Sequence, residues 1–305
     1  VQSGPHAGVH TFTVALDHKW LGILWSGLLN FEAALRQRLV LADKQFQEIS
    51  QLVAAHAIPL ALAVLIFEAK VDAFLSYGRW LMGSSVPAAR TLYDAYYDRW
   101  ALNFLGAPPW RRAAVAHSEL GWALSGYSRA VRDVALRRAK VSDMGRDDIY
   151  VQIFNASSWA SLSWNQKSSV LVHDWKLAPS TYLEPANPVS NKYDKYKAEV
   201  TAKLTHWNAA AQQESIRKTS AALPYYVVQP EFPSSVLKQC VAQDLEWDIA
   251  VGVRSWCRLR ASFVDLVCNS VSHGCRECIF CKASCRNPTK HVPGVCHAWK
   301  EQRQA

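Results

Sequence analysis

Residues 31–53, FEAALRQRLVLADKQFQEISQLV, decide the fold class of this chain. Apolar side chains recur there at spacings of three and four, which is the period of one buried helix face. These apolar positions are Phe31, Ala34, Leu35, Leu39, Ala42, Phe46, Ile49 and Val53. Asn30 is a suitable N-cap, and the helix should end before Pro59, because a residue preceding proline disfavours helical backbone angles. The stretch therefore predicts a long amphipathic helix.

The same period continues along most of the chain. Residues 59–77 are apolar almost all round until Glu68 and Lys70, so this segment is predicted to be a buried helix whose end is marked by Gly78. Further helices are predicted over Ala88–Leu105, Trp110–Trp122, Ser128–Lys140, Lys192–Leu223 and Ser235–Leu266, with partial helix between Met144 and Leu183. The class is mainly α.

Two segments carry strand signals instead. Residues 11–25 are rich in β-branched and aromatic side chains and are broken at Leu21-Gly22, which predicts a short N-terminal β-hairpin. Residues 225–228 are a second, shorter strand candidate.

The length of 305 residues is typical of about two domains, and the clearest linker lies around Pro185 and Pro188. We predict a hairpin over 1–29, a helical bundle over 30–184 and a linker with a long polar helix over 185–233. A helix followed by a cysteine-rich module should occupy 234–305. The chain begins with Val1 and not with Met, so we expect it to be a fragment of a longer protein.

The composition restricts the class of protein. Half of the residues are hydrophobic and 19% are charged, which is a globular composition. The net charge of +9 favours polyanionic partners. The longest apolar stretch, Ile58–Phe67, has about half of the roughly 20 residues that a membrane span needs, so no membrane association is expected. Without a secretory signal, we expect a nuclear or cytoplasmic location.

All eight cysteines lie at or beyond position 240, together with nearby histidines. One spacing supplies three thiolates and one imidazole, which closes a tetrahedral zinc site of the structural kind. This set is Cys278-x2-Cys281-x9-His291-x4-Cys296. The register stays open, because Cys275, Cys285 or His297 could each replace one ligand.

Basic residues concentrate between positions 110 and 140, where seven arginines and lysines accompany only two acidic residues. Such cations can neutralise nucleic-acid phosphates, and nearby aromatic rings can stack on bases. These basic residues are Arg111, Arg112, Arg129, Arg132, Arg137, Arg138 and Lys140. The alternative interpretation is a solvated helix face above buried aromatic residues.

No pattern in the sequence indicates an active site or a small-molecule substrate. The adjacent Asp147 and Asp148 could be mistaken for a two-metal carboxylate pair, but no second carboxylate motif accompanies them, and an acidic first turn of a helix explains them better. There is no glycine-rich phosphate loop, nucleophile elbow or zinc-protease motif. The sequence therefore predicts a binding protein and not an enzyme.

Several motifs, in order, resemble the C-terminal part of non-LTR (LINE-type) retrotransposon reverse transcriptases. HKWLGILW (18–25) is similar to the primer-grip segment that closes the palm, and VDAFLSYGRWL (71–81) is similar to a stretch of the thumb. RWALNFLGAPPWRRAAVAHSELGW (99–122) looks like the helical region that follows. CRLRASF (257–263) and the zinc ligands resemble the C-terminal zinc-binding region.

This resemblance implies a thumb that holds nucleic acid and a zinc module that contacts RNA or DNA. The candidate contacts that it implies are Arg111, Arg112, Arg132 and Arg137 in the thumb, and Arg276, Lys282, Arg286 and Lys290 in the zinc module. The catalytic aspartates of the family lie upstream of the Trp-Leu-Gly segment, so the resemblance implies no polymerase activity for these residues. The cysteines at 275, 278, 281 and 285 are denser than the family's usual pair. Two other functions remain open: a zinc-stabilised helical protein-interaction module, and a degenerate retroelement remnant without activity.

Overall fold

The structure, a computed structural model, describes residues 17–20, 23–26, 31–109, 111–142, 144, 147–160, 163–178, 192–218, 237, 247–260, 267–268 and 277–278. Over this part of the chain the protein is mainly helical, as the sequence predicts. The helices are α1 (Glu32–Ala54), α2 (Leu60–Ile66), α3 (Ala73–Ser76), α4 (Arg79–Ser85), α5 (Ala89–Phe104), α6 (Ala113–Glu119), α7 (Gly126–Ser142), α8 (Ile149–Ala156), α9 (Trp164–Asp174), α10 (Lys192–Arg217) and α11 (Trp247–Arg260). A π-helical segment, Phe67–Asp72, joins α2 to α3.

Short strands flank the helical part. β1 (Asp17–Trp20) pairs antiparallel with β2 (Ile23–Ser26), and Asp17 lies opposite Ser26. β3 (Val267–Cys268) pairs antiparallel with β4 (Glu277–Cys278). The hairpin segment predicted over 11–25 is described only at these strand residues, and its turn lies outside the described residues. The strand candidate at 225–228 lies outside them as well.

Helix α1 buries the apolar stripe that its sequence predicts. Its buried face contains Leu35, Leu39, Phe46 and Ile49, and the helix ends at Ala54, before Pro59. The N-cap position belongs to Phe31, which makes no side-chain capping bond, and the predicted cap Asn30 lies outside the described residues.

The prediction that residues 59–77 form a helix buried all round is wrong. Leu62 and Leu65 are exposed, while Leu60, Ala63 and Val64 are buried, so α2 is amphipathic and covers the core with one face. In the π-helical segment that follows, backbone hydrogen bonds span five residues, one more than in an α-helix. Within it Phe67, Val71 and Asp72 are all buried.

The buried hydrophobic residues of the described part of the chain form two cores. The first core is built largely by α1, the π-helical segment, α5 and α6, and aromatic side chains form its centre. Phe67 stacks on Trp122, with ring centroids 4.9 Å apart, and meets Phe46, Trp100 and Phe104 edge to face. Such edge-to-face contacts add to the hydrophobic gain of burying the rings. Most aromatic residues of α1 and α5 are therefore core residues.

Helix α7 lies at the centre of the bundle and contacts α4, α5, α9 and α10. Its apolar residues Val131 and Val134 form a second core with Tyr196, Val200 and Leu204 of α10. The predicted boundary between the bundle (30–184) and the linker with its long helix (185–233) thus separates two helices that share one core. We therefore describe α10 with the bundle.

A buried network of charges lies between the two cores. Arg79, whose side chain is 1% exposed, donates to Asp72 Oδ1 at 2.6 Å and to Asp133 Oδ2 at 2.6 Å. Arg129 donates to Asp72 Oδ2 at 3.2 Å, and the Tyr97 hydroxyl donates to Asp72 Oδ1. The network ties the π-helical segment to α4, α5 and α7.

Among the helices of the described residues, none combines the length and the apolar character that crossing a membrane requires.

Candidate nucleic-acid interface

The four arginines predicted in the bundle occupy different environments. Arg112 is exposed at the N-cap position of α6, and Arg111 beside it is half-buried. Arg132 is half-buried next to Asp133, with 3.5 Å between Nη2 and Oδ1. The Arg137 guanidinium lies 5.1 Å from the centre of the Trp80 ring, at an apolar cavity of about 330 Å³. These four arginines therefore do not share one environment.

Other basic residues of the 110–140 segment stabilise the fold. Arg129 belongs to the buried charge network. Arg138 donates to the Asn165 backbone carbonyl at 2.7 Å and to Ser168 Oγ at 2.7 Å, which holds α9 against α7. Part of the predicted basic patch is therefore structural.

The predicted zinc ligands Cys281, His291 and Cys296 lie outside the described residues, as do the alternatives Cys275, Cys285 and His297. Of Cys278 only the backbone is described, in β4. The basic residues predicted in the zinc module, Arg276, Lys282, Arg286 and Lys290, also lie outside. Within the described part of the chain, no three histidine, cysteine or acidic side chains are grouped to hold a metal. Cys257 is buried in the first core.

A polar cleft of about 440 Å³, here called the Trp207 cleft, opens where α5, α7, α9 and α10 meet. Three aromatic rings line it: Trp175 lies 6.0 Å from Tyr127 and 6.0 Å from Trp207 between ring centroids. Two cations, Arg90 and Lys176, stand at its walls. A second groove of about 320 Å³ carries Lys167 and adjoins the cleft, with which it shares the lining residues Tyr127 and Asp174.

The N-terminus of α7 lies in the wall of this cleft, and two of its backbone N–H groups are hydrogen-bonded to side chains that also line the cleft. The first N–H groups of a helix have no partner within the helix. Asp94 Oδ1 accepts the Tyr127 N–H at 2.8 Å, and Ser125 Oγ accepts the Ser128 N–H at 3.3 Å. Asn208 of α10 bonds the Ser128 hydroxyl and the Leu204 carbonyl. These hydrogen bonds join α5, α7 and α10 and thereby fix the shape of the cleft.

The charges of the cleft are of both signs. Burial raises the pKa of Asp94, although hydrogen bonds from the Tyr127 N–H and the Ser125 side chain act in the opposite direction. Asp174 is exposed and lies 3.7 Å from His173 Nδ1. Among the described residues, no ion pair involves Arg90, Lys167 or Lys176. Arg90 interacts electrostatically with Asp94, whose pKa it acts to lower, and among the described residues no such interaction involves Lys167 or Lys176.

Lys176 has an unusual backbone conformation. It follows the last turn of α9 with a φ of 48°, and its N–H bonds the His173 carbonyl while the Leu177 N–H bonds the Val172 carbonyl. This is the αL ending of a helix, in which glycine is the usual residue. Residues 106 and 121, which end α5 and α6 in the same way, are glycines.

Asp148 has a structural role at the start of α8. Its side chain accepts the Tyr150 N–H at 2.8 Å, so it is the N-cap of that helix. This capping bond agrees with the helix-start interpretation of the Asp147-Asp148 pair.

The sequence analysis did not predict Arg90, Lys176 or Trp207 as binding residues. They lie on three helices or helix ends separated by long stretches of chain, and no local spacing relates them. The one available signal was a lysine at a helix end where glycine is common. Its meaning depends on the backbone angle, which is a property of the folded chain.

The described residues define a mainly α-helical protein with an aromatic-lined cleft that carries charges of both signs. No match to it is found among models of known families, curated proteins or solved structures. The similarity to non-LTR reverse transcriptases therefore rests on the sequence motifs.

Proposed function

We propose that this chain binds RNA or DNA, and that it corresponds to the thumb and zinc-binding regions of a non-LTR retrotransposon reverse transcriptase. One observation carries the proposal: the Trp207 cleft and its adjoining groove combine three cations without ion pairs among the described residues with three neighbouring aromatic rings. Proteins that bind single strands combine these two kinds of group. The proposal covers binding and includes no polymerisation step.

The exposed cations outside the cleft support a wider contact with the phosphate backbone. Arg112 and Lys140 are exposed, and neither makes an ion pair within the described residues. The carboxylates of Asp72 and Asp133 are used internally by buried arginines. The outer surface of the bundle therefore keeps an excess of positive charge.

Nucleic-acid binding should be steeply dependent on salt. Each phosphate contact releases condensed counterions, so the logarithm of the binding constant should fall linearly with the logarithm of the salt concentration. The measurement is fluorescence anisotropy of labelled single-stranded and duplex oligonucleotides at several salt concentrations. Binding that is absent at low salt would overturn the proposal.

A matched pair of charge reversals locates the contact. Arg112→Glu should weaken binding and reduce the salt slope by about one contact. Arg36→Glu is the control, because Arg36 is also exposed but pairs with Glu32 at 2.6 Å, on a helix that does not line the cleft. Equal losses in both variants would show non-specific attraction to net charge.

We also propose one structural zinc ion, held by Cys278, Cys281, His291 and Cys296. Elemental analysis of the reduced, purified chain should give about one zinc per chain, lost in Cys281→Ser and in His291→Ala. Cys257→Ala is the matched control, because the Cys257 side chain is buried in the first core, and it should keep the metal. A chain without zinc when freshly reduced would remove this part of the proposal.

One observation favours the alternative of a protein-interaction module. Helix α8 exposes Ile149, Tyr150 and Ile153, and the exposed Trp159 follows it. Exposed apolar patches of this kind are typical of protein–protein contacts. The salt-dependence measurement separates the two functions, because an interaction module alone requires no affinity for oligonucleotides.

A further inference from the structure

We propose that the Trp207 cleft binds one unpaired nucleotide of a single strand, with its base against the indole rings and its phosphate against Lys176 and Arg90. This inference rests on the proposed function and specifies its ligand and its site. It assigns the cleft to single strands and not to the duplex that a polymerase thumb is expected to hold.

The chemistry of the cleft suits a whole nucleotide better than a bare phosphate. A volume of about 440 Å³ lies within the usual range of pockets for organic ligands, which is roughly 300–1,000 Å³. Trp175 and Trp207 are only half-buried, so they present ring surface to the cleft. The carboxyl groups of Asp94 and Asp174 would repel a phosphate. Asp94 already accepts the Tyr127 N–H, whereas the exposed Asp174 carboxylate can accept hydrogen bonds from base amino groups and ribose hydroxyls.

The cations stand where they can compensate the phosphate. Arg90 and Lys176 are exposed, belong to α5 and to the end of α9, and line the same cleft. Neither forms an ion pair among the described residues, although Asp94 lies close enough to interact electrostatically with Arg90. A base can enter the cleft only if it is unpaired, because paired bases lie inside the duplex stack.

The backbone of Lys176 supplies an independent argument. A φ of 48° is strained for lysine and unstrained for glycine. Strained residues cluster at functional sites, where the side chain repays the strain. The Lys176 side chain makes no hydrogen bond or ion pair within the described residues, so its contribution to folding does not explain its position.

The chain contains a matched control for this position. His56 ends α1 with a φ of 57°, its N–H bonds the Val53 carbonyl, and the Ala57 N–H bonds the Leu52 carbonyl. It is the same helix ending, also occupied by an exposed residue other than glycine, and it does not line the cleft.

The experiment compares Lys176→Gly with His56→Gly. Both changes relieve backbone strain, so both should raise the midpoint of thermal unfolding by about 2–4 °C. Only Lys176→Gly should weaken the binding of a single-stranded oligonucleotide of about 12 nucleotides, by roughly three- to tenfold. A variant that is more stable and yet binds less well cannot owe its lost affinity to unfolding.

Further variants and oligonucleotides, measured in the same way, identify the ligand of the cleft. Lys176→Arg should bind as the parent does, and Lys140→Ala, which removes an exposed cation outside the cleft, should lose less affinity than Lys176→Gly. A duplex of the same sequence should bind with equal affinity to the parent and to Lys176→Gly. A free mononucleotide that binds as tightly as the oligonucleotide would assign the cleft to a soluble nucleotide and overturn the single-strand assignment.

The outcomes separate this inference from the proposed function. If no oligonucleotide binds the parent chain at low salt, both fail. If oligonucleotides bind with a steep salt dependence but Lys176→Gly binds like His56→Gly, the proposed function stands and the Trp207 cleft is excluded as the nucleotide site.

Discussion

Replacing Asp72 by asparagine is expected to lower the free energy of unfolding by about 3–5 kcal/mol. The change keeps the shape of the side chain but removes the negative charge that lies between Arg79 and Arg129. Both arginine side chains are almost fully buried, at 1% and 9% exposed, so water cannot replace the lost partner. Asp133 still pairs with Arg79, which leaves Arg129 as the uncompensated charge. Urea denaturation followed by circular dichroism measures the loss.

An exposed pair provides the control. Glu48 and Lys70 are 68% and 49% exposed and lie 3.0 Å apart, so Glu48→Gln should change the free energy of unfolding by less than about 1 kcal/mol. Equal effects of the two substitutions would contradict the importance of the buried network.

The lowered pKa of Asp72 also predicts how the stability of the fold depends on pH. Burial alone would raise its pKa, but the charges of Arg129 and Arg79 and the hydrogen bond from Tyr97 outweigh burial and lower it. Its contribution is therefore complete above the unfolded value of about 3.9 and is lost as the pH falls from there toward the depressed folded value. Asp72→Asn should lose less stability over this acid range than the parent chain does.

Replacing Gly126 by alanine is expected to destabilise the fold by about 1–3 kcal/mol, toward the upper end of this range. A Cβ atom there would lie 2.5 Å from the Tyr93 carbonyl oxygen and 2.6 Å from Tyr97 Cδ2. The first neighbour is backbone and the second belongs to a fully buried ring, so neither can move without shifting α5. The start of α7 lies against α5 only because residue 126 has no side chain.

Replacing Gly252 by alanine should change the free energy of unfolding in the opposite direction. Gly252 lies inside α11 with no atom within 4 Å of an added Cβ, and it is exposed. Alanine there should stabilise the helix by about 0.5–1 kcal/mol, because it restricts the unfolded backbone more than glycine does. The free energies of unfolding of both variants, measured under one set of conditions, test the pair. Two changes of the same sign would contradict the packing of α5 against α7.

The helices of the bundle were predictable because burial on one face imposes a period that the sequence carries. The buried positions of α1 and the extents of α5 and α7 follow from it to within two or three residues. The exposure of Leu62 and Leu65 was not predictable, because the sequence alone does not distinguish a leucine on the surface from a leucine in the core. The π-helical segment was hidden for a similar reason, since its widening depends on the packing of Phe67 and Asp72.

The candidate site was less predictable than the fold. Local charge density indicated Arg132 and Arg138, yet Arg132 lies beside Asp133 and Arg138 holds α9. A count of charges along the chain does not distinguish a cation that meets a carbonyl from one that meets solvent. The residues of the Trp207 cleft come together only when α10 packs on α7, which is a long-range event without a local signature.

The position of α10 has a consequence while the chain is being synthesised. Val131 and Val134 of α7 are covered by residues that leave the ribosome more than 60 positions later, at Tyr196 and Leu204. Until then the nascent bundle has an uncovered apolar face, which is the kind of surface that chaperones bind and that aggregates. A shortened expression product ending near residue 184 would keep that face permanently, whereas one ending after Lys218 would cover it.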